Sequence, residues 1–289
     1  MRAAFLGLGV MGAPMAGHLA ARGIDLVVYN RTAAKADAFL RDHKARAAAA
    51  PAEAAAGADI VIACLGDDPD VDAVMGAVLP VVKAGALVID HSTASPDLAR
   101  RLASAFSEKG ASFIDAPVSG GEAGAKAGKL SVMCGGEAEA VERARPVLEA
   151  YSARIVHVGP SGHGQLAKAV NQICIAGVLQ GLAEGVHFAQ AAGLDIDRVI
   201  DAVSGGAARS WQMENRAKTM AEGSFDFGFA VDWMRKDLRI ALAEARRTGA
   251  QLPAAALVDQ FYAEIQAMGG GRQDTSSLIR RLKRPETRD

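Results

Sequence analysis

Cysteine is scarce and surplus charge is absent in this chain, and each shortage excludes a class of function. Cys64, Cys134 and Cys174 are three thiols in 289 residues, widely spaced and odd in number. That pattern suggests neither a disulfide framework nor a zinc site, so no metal is expected and a reducing cytoplasm is the natural compartment. The 32 basic side chains stand against 33 acidic ones, for a net charge of −1. Nucleic-acid binding draws on a cationic surface that displaces counterions, so nucleic acid is not an expected partner. The basic run Arg280-Arg281-Leu282-Lys283-Arg284 reads as a solvated helix end. A leader is lacking on this reading, because a strand is expected from residue 2 and leaves no room for one. No uninterrupted membrane span is read either. The longest apolar helix pattern, 172–194, is broken by Gln180, Glu184, His187 and Gln190, so a buried interdomain or subunit-contact helix is expected and no membrane. Tandem repeats are absent.

What is present is apolar material for two cores: half of the 289 residues are hydrophobic. Apolar runs at 2–6, 26–29, 59–65, 86–90 and 111–115 alternate with helix patterns at 13–21, 33–42, 68–75 and 96–108. Such alternation predicts a doubly wound, parallel α/β sheet covered on both faces. The alanine-rich stretch 45–58 reads as a compact strand and helix, and 130–134 and 154–158 as later strands around a helix at 138–150. Past Gly159-Pro160-Ser161-Gly162 the strand signals stop, and helix patterns run at 165–192, 195–204, 230–249 and 253–268. A glycine and proline cluster at a composition shift marks a boundary. The expected domains are therefore 1–162, α/β, and 163–289, all-α, with a long interdomain helix.

Gly7-Leu8-Gly9-Val10-Met11-Gly12 stands between the first strand and the first helix. A glycine-rich turn in that place lets a pyrophosphate approach bare backbone at the positive helix end, so a dinucleotide is expected. Eighteen residues beyond Gly12, where an NAD-binding chain places a carboxylate for the ribose hydroxyls, the residues are Asn30, Arg31 and Thr32. Nothing there repels a 2′-phosphate, and Arg31 and Thr32 offer it a charged fork and a hydroxyl. NADP(H) is expected ahead of NAD(H); the competing reading is that Arg31 merely begins a solvated helix.

The segment from Gly164 through Lys168 to Asn171 puts a gap, a cation and an amide on one helical face. Asp115-Ala116-Pro117-Val118-Ser119-Gly120-Gly121 follows a strand, at the end where open α/β sheets bind ligands. The Ser119 hydroxyl and the Gly120 and Gly121 amides suit a carboxylate, and an ordinary turn is the alternative. His91-Ser92-Thr93-Ala94-Ser95-Pro96 ends another strand. Thr93 is placed to touch cofactor or substrate, Ser95 to cap the next helix, and His91 reads as structural. Trp211, Phe229 and Trp233 read as core before pocket; Arg209, Arg235 and Arg239 as surface ion pairs before readers of a second anion.

Gly7 to Ala16, Ser92-Thr93, Asp115 to Gly121, Gly164 to Asn171 and Lys236-Asp237-Leu238 together resemble the successive motifs of the β-hydroxyacid dehydrogenases. That family spans 3-hydroxyisobutyrate dehydrogenase, tartronate semialdehyde reductase and glyoxylate/succinic semialdehyde reductase types, and is 6-phosphogluconate dehydrogenase-like. The resemblance covers nearly the whole chain in order. It implies a Rossmann domain followed by an all-α domain, and an NAD(P)-dependent oxidoreductase that interconverts a small 3-hydroxy acid and its semialdehyde. Carried over, it makes Lys168 the catalytic acid/base, Asn171 a substrate or lysine positioner, and Ser119, Gly120 and Gly121 the carboxylate anchor. Thr93, Lys236 and Leu65 fall at the nicotinamide end, Phe229 and Asp237 at the substrate pocket. Cys64-Leu65-Gly66 departs from the Leu-Pro of many relatives, which touches only the local loop shape. The expected partners are a small carboxylate-bearing aldehyde or hydroxy acid, and further copies of the chain in a homodimer or homotetramer through the helical domain. An imine reductase-like NADPH enzyme and a non-catalytic cofactor-binding scaffold are the alternatives, and Lys168 speaks against both.

Overall fold

The computed structural model describes residues 1–282, so Lys283 and Arg284 of the basic run lie outside the described residues. The chain forms two compact units, one from Met1 to Lys168 and one from Ala169 onward.

The first unit is built on β1 (Arg2–Leu6), β2 (Asp25–Tyr29), β3 (Arg46–Ala47), β4 (Ile60–Ala63), β5 (Leu87–Asp90), β6 (Ser112–Asp115), β7 (Val118–Ser119), β8 (Leu130–Gly135) and β9 (Ser152–Gly159). Its helices are α1 (Gly12–Ala21), α2 (Ala33–Asp42), α3 (Pro51–Ala55), α4 (Asp68–Val78), α5 (Pro96–Glu108), α6 (Gly121–Lys126) and α7 (Ala138–Leu148). Strand order is β3-β2-β1-β4-β5-β6-β8-β7, with β9 on β8. Side chains alternate across a strand, so Phe5, Ile62 and Ile89 enter one core while Leu6, Val61 and Val88 enter the other. Burial on both faces explains why these strands read as unbroken apolar runs. The order reverses between β1 and β4, which is where a sheet of this kind opens to a ligand.

The expectation of an all-parallel sheet is corrected at its far side. β1 to β6 pair in parallel, but β8 runs antiparallel to β6 and to β7, and β9 returns parallel to β8. The short segment through β7 and α6 turns the chain back without a full helical crossover, and only a full crossover makes parallel neighbours.

The second unit is helical. α8 (His163–Ala191) begins in the first unit and continues into the second, followed by α9 (Ile196–Ser204), α10 (Trp211–Glu222), α11 (Val231–Thr248), α12 (Pro253–Ala267) and a 3-10 helix, Thr275–Leu282. Ala176, Leu179, Ala183 and Val186 of α8 join Met220, Met234, Leu238, Tyr262 and Leu278 in its core. By length and composition α8 qualifies as a membrane span, with mean hydropathy 1.3 over its most apolar window. Its apolar stripe is nonetheless the spine of this core, and the buried Gln180 beside it donates to Glu184 at 2.6 Å. Trp211 and Trp233 are corrected from core to surface, at 53% and 39% exposed. Arg216 lies over the Trp211 ring and Lys236 over the Trp233 ring, so each indole is covered by a cation, a contact that helical spacing does not reveal.

Candidate active site

The glycine loop has the form its sequence requires. Gly7 sits at φ 102°, and a Cβ there would stand 2.3 Å from the Cys64 carbonyl oxygen. At Gly12 a Cβ would stand 1.9 Å from the Gly7 oxygen, because α1 starts hard against the end of β1. Gly9 alone has open space around the missing side chain. The loop is thus pinched at both ends and clear in the middle, a cradle that fits a pyrophosphate. Met11 provides no side-chain cap and the first turn of α1 holds no acid, so the positive helix end is uncompensated by side chains. Leu8, Val10 and Met11 complete the turn, with Val10 exposed.

Asn30 has a different task from its neighbours. Its Oδ1 accepts from the Leu8 amide at 2.9 Å and its Nδ2 donates to the Thr32 carbonyl at 3.0 Å, tying the glycine loop to the end of β2. Arg31 is exposed and pairs with Asp70 of α4 at 2.9 Å. Thr32 precedes α2 without a capping bond from its side chain.

At the ends of β5 and β6 the polar residues are buried. His91 is held by the Ala116 carbonyl at Nδ1, 2.6 Å, and by the Tyr151 hydroxyl at Nε2, 2.8 Å, which accords with a structural residue. Ser95 caps α5, accepting from Leu98 N at 3.2 Å. Leu65 donates its amide to Ser92 Oγ at 2.8 Å. Asp115 is fully buried and accepts from the Gly162 and Gln165 amides at 2.7 and 2.9 Å, so it anchors the first turn of α8 from outside that helix. Burial raises its carboxyl above the usual range, against the pull of those amides.

Gly164 is corrected from a gap to a close contact. A Cβ there would stand 2.5 Å from both the Asp115 and Met133 carbonyl oxygens, so glycine lets α8 seat on the strand ends. One turn on, Lys168 is 8% exposed and donates from Nζ to the Val118 carbonyl at 2.9 Å. That places its ammonium beside the residue before Ser119. Gly120 and Gly121 follow at φ 127° and 60°, conformations that a side chain disfavours.

The second unit carries a polar chain of its own. Asn171 Nδ2 donates to Gln172 Oε1 at 2.8 Å, and Gln172 Nε2 donates to Asp237 Oδ2 at 2.5 Å. Lys236 reaches Asp237 Oδ1 at 3.1 Å. Asp237 is therefore a buried, doubly engaged carboxylate. Phe229 stands apart, partly buried, with its amide on Asp274 at 3.0 Å. Arg209 pairs with Glu214 on the surface, whereas Arg235 pairs with Asp259 in a half-buried position. Gln165 and Gln172 were not singled out in the sequence; the available signal was a polar residue on the apolar face of a helix.

Among the described residues no three histidine, cysteine or acidic side chains gather as a metal would require. The NAD binding domain of 6-phosphogluconate dehydrogenase, as a family, matches residues 2–159, and the NAD-binding family of NADP-dependent 3-hydroxyisobutyrate dehydrogenase matches 162–282. An uncharacterised oxidoreductase of Shewanella frigidimarina is 56% identical over 286 residues, covering 98% of each chain. The 2-hydroxy-3-oxopropionate reductase of Escherichia coli is 35% identical, over 98% of this chain and 97% of its own. Among solved structures, 3-hydroxyisobutyrate dehydrogenase of Mycobacterium tuberculosis with L-serine superposes with a TM-score of 0.90. It is 32% identical over 98% of this chain and 100% of that one.

Proposed function

Because the chain belongs to the 3-hydroxyisobutyrate dehydrogenase family of NAD(P)-binding oxidoreductases, we propose that it reduces a small carboxylate-bearing semialdehyde to its hydroxy acid. The cofactor of this reading is NADP(H) before NAD(H), and Lys168 is its general acid. The observation that carries it is the buried Lys168 ammonium, held at 2.9 Å from the Val118 carbonyl beside Ser119.

Gly7 to Gly12 would hold a nicotinamide cofactor, which would supply the hydride when bound. Lys168 does the rest of the work on the carbonyl: its Nζ donates a hydrogen bond to the oxygen, stabilises the charge that develops there and delivers the proton. In the oxidative direction the same nitrogen takes the proton back. Ser119 and the Gly120 and Gly121 amides hold the substrate carboxylate, and Asn171, Phe229 and Asp237 line the substrate. Thr93, Leu65 and Lys236 hold the nicotinamide end. Asn30, Arg31 and Thr32 flank the ribose, with Arg31 as the cation for a 2′-phosphate. The absence of a carboxylate among those three supports NADP(H). Cys64, Cys134 and Cys174, none of them in a disulfide, support a cytoplasmic site of action. The exposed Val178 and Phe188 of α8 support self-association through the helical unit. Imine reduction and a scaffold role are disfavoured by the seated lysine.

The test is NADPH oxidation against glyoxylate and the tartronate, methylmalonate and succinic semialdehydes, with butyraldehyde as the uncharged comparison. Lys168→Ala should bind NADPH nearly as well and lose at least ~10²-fold in kcat on the best substrate. Retention of more than about half the wild-type kcat, with chemistry limiting, would remove Lys168 from the reaction. Equal kcat/KM for succinic semialdehyde and butyraldehyde would remove the carboxylate anchor.

A further inference from the structure

Residues 91–95, which carry Thr93, lie outside any strand or helix. The ladder of backbone bonds ends at His91, whose amide donates to the Ala63 carbonyl at 2.8 Å, yet the residues of the turn that follows are buried or half-buried. Ser92 N donates to Asp90 Oδ1 at 2.9 Å and Ser95 N to Asp68 Oδ1 at 2.7 Å, and α8 adds a further restraint. The Gln165 side chain, 2% exposed, spends both ends of its carboxamide on the turn. Its Nε2 donates to the Ser92 carbonyl at 2.8 Å and its Oε1 accepts from the Ala94 amide at 3.1 Å. Those are the carbonyl just before Thr93 and the amide just after it, so Gln165 brackets Thr93 as a neighbouring strand would. Its own backbone is fixed in turn, since Gln165 N donates to Asp115 Oδ2 at 2.9 Å. Lys168 follows three residues later on the same helical face. The Ser92 hydroxyl, on the far side of the turn, accepts from Leu65 N at 2.8 Å.

We propose that Gln165 is a positioning residue, a strut that sets the Thr93 turn at a fixed distance from the helical turn bearing Lys168. The inference rests on the function proposed above, in which Thr93 holds the nicotinamide end and Lys168 the carbonyl oxygen. Hydride donor and proton donor then converge on the carbonyl with no search, because one side chain spans both supports. Only a carboxamide of this length serves. Glutamate keeps the acceptor for Ala94 but turns a second oxygen toward the Ser92 carbonyl; asparagine is one methylene short; methionine fills the volume with neither bond.

The test uses full-length Gln165→Glu and Gln165→Met beside Lys168→Ala. The methionine variant adds no charge, so a folding defect caused by a buried carboxylate does not decide the outcome. Hydrogen exchange on the cofactor-free protein reads the strut directly: peptides covering 92–95 should exchange faster in both Gln165 variants, while those covering 7–12 should not change. A misplacement on the order of 1 Å costs up to ~10²-fold in rate, so kcat should fall about tenfold or more. The dissociation constant for NADPH, set mainly at the glycine loop, should stay within about twofold of wild type. Deuterated NADPH should give a larger isotope effect on kcat than in wild type. Unchanged exchange at 92–95, or wild-type kcat in both variants while Lys168→Ala is impaired, overturns the strut alone. A fall in kcat matched by an equal loss of NADPH binding overturns it too. Wild-type kcat in Lys168→Ala overturns the underlying reading of the reaction.

Discussion

Burial holds His91 as a neutral ring. Burial raises the Tyr151 phenol far above its usual range, so that hydroxyl remains a donor, and the imidazole answers with an acceptor at Nε2 and a donor at Nδ1. Burial brings the His91 pKa down to about 4, against the contrary pull of the Ala116 carbonyl. An unfolded histidine titrates near 6.5. Between those values the unfolded chain binds the extra proton, so this group's contribution is complete above about pH 6.5 and drains away as pH falls toward 4. The window corresponds to roughly 3 kcal/mol. Urea unfolding at steps from pH 7.5 to 4 should therefore show a steeper loss in the wild type than in His91→Gln, whose amide titrates nowhere in that range. Parallel curves would mean that His91 is protonated in the native state.

Among the elements, the first turn of α8 tolerates the least change. Gly164→Ala drives a methyl into two backbone carbonyls and within 2.8 Å of Asp115 Oδ2, and none of these can swing aside. A cost of about 1–3 kcal/mol is expected, as for overpacking elsewhere, together with a lower kcat from a displaced Lys168. Gly76→Ala in α4, where a Cβ meets nothing within 4 Å, should instead be neutral or gain up to about 1 kcal/mol. Equal melting temperatures for the two variants would contradict the seating of α8. This turn also shows what was legible beforehand. Gly164, Lys168 and Asn171 stood out in the sequence at helical spacing, but no spacing says that Gly164 meets carbonyls of β6 and β8. Strands β1, β2, β4, β5 and β6 were readable because burial on both faces makes them continuous apolar runs. The direction of β8 was not, since polarity in a sheet leaves no mark on the residues. α10 was missed although Ser210 caps it, accepting from Met213 N at 3.0 Å, and Gly223 closes it at φ 75°. Its buried residues, Met213, Ala217 and Met220, are too few to make a visible stripe. For the candidate site, residue types were visible and partners were not: Gln165 lies inside the quoted motif, and its bonds reach 71 and 73 residues back.

For the whole molecule, cofactor choice is measurable without any substrate. A ligand at a hundred times its Kd stabilises the native state by about 2.7 kcal/mol. At equal concentrations NADPH should raise the melting temperature more than NADH, and Arg31→Ala should erase that difference by removing the cation left for the 2′-phosphate once it exchanges Asp70 for the ligand. A wild-type shift that is equal, or larger with NADH, would reverse the assignment. The anchoring of α8 by Asp115 also orders events in time. Its bonds to Gly162 and Gln165 close loops of 47 and 50 residues, and the entropy of closing them is recovered only when β6 already stands in the sheet. During synthesis the chain must therefore complete β6 before the lysine's turn has a seat. The Lys168 ammonium then reaches the Val118 carbonyl only after the sheet is built through β6.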